Sequence, residues 1–387
     1  METSGKAWLA RTRVLEIDGL RAIAMTMVIA QHCGLLPFGW MGVWLFYAIS
    51  GYVITRGFVA EEKIEQDIRR RYAHFMLRRF FRIVPIYFIY IIINIVLLSA
   101  LSQSEPLQDL PYLASFTFNW QMIFGYVPGS GAGTWSAFGH LWTLSVEEQF
   151  YLLFPIIALV VPVHSRLPIT VFFIISGPII RYFYSSVITP INPDSGWAAF
   201  AVYASSICHF DAFLLGSLIA RVEPKLHGNH RLSDAAWVVA MICGLVYVAA
   251  YLNINREAGA TGISAFRNII SGIIFGQHRE VLLYLIVNLF MGAVLIHAVL
   301  RRPLSGLLSS RLLVWVGSIS YGGYLFHALL LWMMKYFLGS PVRELPIPER
   351  VLYFSMVWLI TISVAYISFR WFEAPVARWG RARLSSV

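Results

Sequence analysis

The feature that most constrains this chain is a recurring run of apolar residues, each about twenty residues long and able to cross the hydrocarbon core of a bilayer as a helix. Ten such runs occur, near 19–36, 39–58, 83–101, 140–162, 167–183, 199–220, 234–252, 280–300, 314–337 and 351–370. A helix that is apolar around its whole circumference needs surroundings other than water. Strands are not expected, because the runs are unbroken and do not alternate at every second residue. Composition agrees: 58% of the residues are hydrophobic and 13% charged, against about a quarter charged in an ordinary soluble chain. The expected fold is therefore all-α, a polytopic integral membrane protein of about ten transmembrane helices. A further short or re-entrant segment is expected within 253–279.

The formal charge of +10 does not point to nucleic acid, because the basic residues sit between apolar runs, where Lys and Arg set topology. With the N-terminus inside, the inner segments collect Lys6, Arg11, Arg13, the dense group from Arg56 to Arg82, Arg166, Arg221, Lys225, Arg231, Arg301, Arg302, Arg311 and the C-terminal arginines. The outer stretch 101–140 and the loop 185–197 hold no Lys or Arg. Both termini are thus expected in the cytoplasm. The polar, basic opening lacks a cleavable signal, and residues 1–387 read as one membrane domain without an appended soluble catalytic module and without a convincing internal repeat. Cys33, Cys208 and Cys243 lie in apolar runs with no metal-ligand spacing. They read as small buried hydrophobes, with neither a disulfide nor a metal site implied.

Ionisable side chains inside spanning helices are costly and mark candidate function. Arg21 and His32 are eleven residues apart on the first helix. At 100° per residue they share a face to within about 20°, separated by roughly 16 Å along the axis. Arg21 then lies near the inner end, and His32, which titrates near neutrality, towards the outer end. The fourth helix carries Ser145, Glu147, Glu148 and Tyr151. Two adjacent carboxylates point about 100° apart, so one can face a cavity while the other meets a different partner. Glu147, Tyr151 and Pro155 form one stripe, Ser145 and Glu148 a neighbouring one. His327 follows Ser320 and Tyr321 in the ninth helix, and Asp211 sits near the middle of the sixth, where an arginine partner is an equally good account of it. Arg78, Arg79 and Arg82 open the third helix on one flank, a fork suited to phosphate, although topology alone also places basic residues there.

These residues, taken together, resemble acyltransferase family 3, membrane acyltransferases of bacterial surface polysaccharides, Nod factors, macrolides and other glycosides. The family's Arg and His separated by ten residues fall on Arg21 and His32. Its Arg-Arg-x-x-Arg motif falls on Arg78, Arg79 and Arg82, and its Ser-x-Glu-x-x-x-Tyr-x-x-x-Pro motif on Ser145, Glu147, Tyr151 and Pro155. Ser320, Tyr321 and His327 match the late Ser-Tyr…His pattern, and Phe372-Glu373-Ala374-Pro375 resembles the closing segment. The order is kept over nearly the whole chain. The resemblance implies a multi-pass protein of the bacterial inner (cytoplasmic) membrane. It also implies an acyl-CoA donor, usually acetyl-CoA, as substrate in place of a permanently bound cofactor, and a carbohydrate or glycoside acceptor.

On that reading Arg78, Arg79 and Arg82 meet the donor's phosphates, with Arg21 deeper, and the thioester extends towards His32. His32 serves as general base, oriented by Glu147 or Glu148, or as a transient acyl carrier. Cys33 points about 100° away from His32 and is set aside. A polysaccharide and a small glycoside both remain open as acceptors. Trp120, Tyr126 and Trp135 of the outer loop suit stacking on sugar rings, as they suit interfacial anchoring. The rival class is a transporter or channel, for which inverted repeats and broken helices would be expected.

Overall fold

The computed structural model describes residues 13–61, 67–102, 109–125, 137–189, 195–227, 229–257, 259–262, 279–300 and 304–384. Lys6, Arg11, Tyr126, Trp135, Arg301, Arg302 and most of the stretch 253–279 lie outside them.

The elements are helices: α1 Leu15–His32, α2 Met41–Glu61, α3 Ile68–Ala100, α4 Trp142–Pro155, α5 Val163–Ile188, α6 Phe210–Leu226, α7 His230–Glu257, α8 Arg279–Val299, α9 Arg311–Ser318, α10 Ser320–Leu338, α11 Ile347–Ser368 and α12 Ala374–Leu384. Among the described residues, seven helices are long and apolar enough to cross a membrane, or eight if α9 and α10 count as one bent span. The chain is a polytopic membrane protein. The two other expected segments are also helical. One is α1, which carries Glu16, Asp18 and Arg21 in 18 residues, and the other is α6, which has 17 residues. The outer faces of α5, α7 and α11 leave Phe172, Ile175, Leu245 and Leu359 more than half exposed, as lipid contact requires.

Three local departures from the expected helices matter for the site. The third helix starts well before the apolar run at 83: α3 runs unbroken for 33 residues, about 50 Å, and starts where the Asp67 side chain accepts a hydrogen bond from the Arg69 N–H at 2.8 Å. The ninth expected helix breaks at Ile319, with α9 and α10 at 70°. The run Gly317-Ser318-Ile319-Ser320 has weak helix propensity, and a side chain at Gly317 would collide with the Asp18 carbonyl of α1. The sixth is divided by a turn at Ser206–Cys208, so Asp211 lies in the first turn of α6 instead of mid-helix.

The crossing of α2 and α6 is the tightest anchor of the bundle. A Cβ on Gly51 would strike the Phe213 carbonyl, and one on Gly216 the Ala48 carbonyl. Missing side chains let the two backbones touch, the usual route to close packing in lipid. Thr55 Oγ1 donates to Ser217 Oγ at 2.8 Å in the same seam. This fixes α2, which carries Tyr47, Ser50 and Val53 along the central cavity.

Candidate active site

Between α1, α2, α3, α4 and α10 lies a cavity system with a wide mouth and a narrow throat. The mouth, about 740 Å³, is lined by Arg13, Arg21, Arg56, Arg82 and Arg381 against two carboxylates, Asp18 and Glu373. Asp18 is engaged by Arg13 at 2.7 Å. Arg56 lies 3.6 Å from the buried Glu223 and donates to the Tyr52 hydroxyl at 3.1 Å. A side cavity of about 250 Å³ adds Arg78 and Arg79 and shares Arg82 and Arg381. The mouth thus has a surplus of positive charge, and Arg82 lines all three spaces.

The throat, about 70 Å³, is walled by Val43, Phe46, Ile49, Val53, Ile83 and Leu144, with Arg21, Arg79, Arg82 and Glu147 as its charged groups. Arg21 Nε has no hydrogen-bond partner among the described residues, and the Arg79 guanidinium lies over the Tyr151 ring at 4.9 Å. Glu147 accepts from Ser50 Oγ at 2.5 Å and from the Tyr151 hydroxyl. The 100° divergence of the two carboxylates is realised: Glu147 lines the throat and Glu148 does not. Ser145 is fully buried and donates weakly to the Leu141 carbonyl of its own turn. Ser320 and Tyr321 open α10 at its break and line the throat, and the Tyr321 hydroxyl donates to the Ile83 carbonyl at 3.2 Å.

Thr143 and Tyr324 line the throat on the side that faces the histidines. Thr143 Oγ1 donates to the His140 carbonyl at 2.9 Å, which takes its single hydrogen, so the Tyr324 hydroxyl donates to Thr143 at 2.7 Å. Beyond this pair stand three histidines. The His32 and His327 rings are 5.4 Å apart, the His327 and His140 rings 5.2 Å, and Tyr324 lies 5.4 Å from His327 and 5.5 Å from His140. His327 is fully buried, whereas His32 is half-buried. His327 Nδ1 lies 2.5 Å from the Tyr324 carbonyl. A carbonyl can only accept, so Nδ1 carries the proton and Nε2, without a partner among the described residues, keeps its lone pair. Among the described residues no group of three or more His, Cys, Asp or Glu could hold a metal ion.

The structure regroups the candidate residues. His32 does not meet Glu147 or Glu148; its ring neighbour is His327, and Glu147 belongs with Arg21, Arg79 and Arg82 in the throat. The reason is length. About 16 Å of helix separates Arg21 from His32, and Glu147 comes in at the Arg21 level. Asp211 is held away from the cavity by Arg181 of α5, 2.7 Å distant and equally buried. Arg181 also donates to the Cys208 carbonyl at 2.7 Å. Trp120 uses its indole N–H on Gln149 at 3.2 Å. Cys33, Cys208 and Cys243 are all buried.

Sequence reasoning missed His140, Tyr47, Thr143, Tyr324 and Arg381. Tyr324 lies inside the Ser320–His327 motif, and His140 opens the fourth apolar run as a polar residue. Tyr47 and Arg381 carried no signal that set them apart from packing and topology.

A family model described as an acyltransferase domain, that of acyltransferase family 3, matches residues 14–369, as the motif order implies. The chain is 28% identical to a peptidoglycan O-acetyltransferase, OatA, of Listeria monocytogenes, over 96% of this chain and 57% of that protein. It is 26% identical to a putative peptidoglycan O-acetyltransferase, YrhL, of Bacillus subtilis, over 94% and 55%. A putative O-acetyltransferase of Staphylococcus aureus is 27% identical, over 94% and 57%. The chain thus spans a little over half the length of these curated relatives. No solved structure matches.

Proposed function

Because the chain belongs to acyltransferase family 3, we propose that it is a membrane O-acyltransferase. It moves an acyl group, in the first instance acetyl, from cytoplasmic acetyl-CoA to a hydroxyl of a carbohydrate or glycoside acceptor. The observation that carries this reading is the arginine-rich mouth leading through an apolar throat to Tyr324, which touches the histidine cluster. Coenzyme A bears several phosphate charges that cannot enter lipid, and it ends in a slender uncharged arm. A cationic vestibule followed by a narrow, mostly apolar passage suits both parts. We assign ten spans with both termini and the mouth in the cytoplasm, which puts the histidines towards the outer face of the bacterial cytoplasmic membrane. Tyr324 and Thr143 then rearrange to admit the thioester.

In the transfer, the acceptor oxygen forms the new C–O bond as the thioester C–S bond breaks. The hydroxyl proton goes to His32, and the departing thiolate takes that same proton back from the imidazolium, which leaves His32 neutral for the next turnover. General-base help of this kind contributes about 10²–10⁴-fold. His327, oriented through Nδ1, presents its Nε2 lone pair inside the cluster, where it can accept a proton from its neighbour. The same arrangement serves an acyl-His32 intermediate. The relatives' names favour a cell-wall glycan as acceptor. The test is release of free thiol from acetyl-CoA by purified protein in lipid nanodiscs, with glycan fragments or small glycosides. Acceptor-dependent release with an acetylated product is expected.

A transporter is the second reading, favoured by the break between α9 and α10 beside the cavity. Among the described residues that break has no counterpart in the other half. Solute flux into proteoliposomes without thiol release would decide for it.

A further inference from the structure

The throat is apolar except for its charged floor and a few hydroxyls, and two of these hydroxyls stand out. The Tyr47 hydroxyl and Ser320 Oγ have no hydrogen-bond partner among the described residues, although their residues are only 2% and 0% exposed and both line the throat. Their neighbours are accounted for. Ser50 and Tyr151 serve Glu147, Tyr321 serves the Ile83 carbonyl, and Tyr324 serves Thr143. Buried hydroxyls left unmatched are costly, and native structures pair nearly all of them.

The two come from independent causes. The Tyr47 ring is clamped by stacking on Phe213 at 4.4 Å, which fixes where its hydroxyl points. Ser320 is carried into the throat as the first residue of α10, after the break at Ile319. A ligand that satisfies both must be narrow and uncharged along this stretch, yet carry donors and acceptors set into an apolar chain. A lipid tail has none of these groups, and a phosphate would be held at the arginines instead. A secondary amide has a donor and an acceptor, and the arm of coenzyme A holds two amides between its phosphates and its thioester.

We infer that Tyr47 and Ser320 read the amide groups of the donor's arm, and so set how far the thioester advances towards His32. This rests on the acetyl-CoA reading above. It makes the throat a recognition element for amide-bearing thioesters, distinct from the phosphate-binding mouth. Binding energy gathered there, remote from the reacting carbon, also serves to position it.

The experiment measures Kd in nanodiscs for wild type, Tyr47→Phe and Ser320→Ala. The ligands are acetyl-CoA and two analogues, each with one amide replaced by a methylene pair. Phe keeps the stacking on Phe213, so the variant removes little besides the hydroxyl. Each variant is expected to weaken acetyl-CoA binding by about 3- to 10-fold, the range of one net hydrogen bond. With one of the two analogues that loss should disappear, because wild type has already lost the same bond. Losses of equal size with acetyl-CoA and with both analogues, or no loss at all, overturn the inference while leaving the donor reading intact. A wild-type protein that binds no acetyl-CoA overturns both.

Discussion

Arg82 offers the sharpest test of the proposed donor site, because it lines the mouth, the throat and the side cavity together. Consider Arg82→Gln. In the throat three guanidinium groups face the single carboxylate of Glu147. Two like charges on the order of 6 Å apart repel by roughly 3 kcal/mol at an effective dielectric of about 20, before water in the mouth screens them. Removing one cation therefore relieves the empty protein. Its thermal stability in detergent should hold or rise slightly. Donor affinity should move the other way. A charge-assisted hydrogen bond contributes about 1.5–3 kcal/mol, so Kd for acetyl-CoA should increase about 10- to 100-fold. Arg82→Lys keeps the charge but loses the planar fork and should fall between the two. Raising salt from low to physiological strength should weaken wild type more than Arg82→Gln, because the variant has one fewer charge to screen. Binding is read by equilibrium titration and folding by thermal unfolding of the same preparations. A Kd within twofold of wild type would refute the assignment of Arg82 to the donor's phosphates. So would an affinity loss that merely follows loss of folded protein.

Other outcomes follow from the same geometry. His32→Ala should abolish acceptor-dependent thiol release while acetyl-CoA still binds, since His32 lies beyond the throat; retained wild-type turnover in the thiol assay removes it from the chemistry. Asp211→Ala should destabilise the protein by about 3–5 kcal/mol, because it strands the buried Arg181 charge. The folded fraction should bind acetyl-CoA normally, which a joint measurement of melting and Kd checks. Gly51→Val should impair assembly, since its Cβ alone meets the Phe213 carbonyl. The readout is the monodisperse fraction on size exclusion, and a wild-type yield would mean that the α2–α6 seam is looser than described.

The helical body and most of the polar inventory were legible in the sequence because both rest on local facts. An apolar run must span or be buried, and an arginine or carboxylate inside one must have a reason. What stayed illegible was partnership across the chain. Glu147 meets Ser50, 97 positions away, and no local spacing announces that; depth in the membrane alone pairs it with His32. Asp211 found Arg181 because a turn at Ser206–Cys208 brings the first turn of α6 against α5. The break at Ile319 was hidden within a continuous apolar run. That break and the stacking of Tyr47 on Phe213 place the two unpartnered hydroxyls, so this part of the site was beyond a reading of motifs.

The pairing of Thr143 with Tyr324 at the head of the throat has an electrical meaning for the cell. A passage lined with guanidinium groups that ran clear across the bilayer would conduct anions down the membrane potential, at about 2.3 kcal/mol per elementary charge for each 100 mV. Here a neutral hydroxyl pair lies between the arginine-lined passage and the histidines. On the proposed function, acyl transfer at this pair lets the cargo change carriers at the boundary, while the bulky charged remainder of the donor stays behind. The membrane can then export chemical modification without becoming leaky.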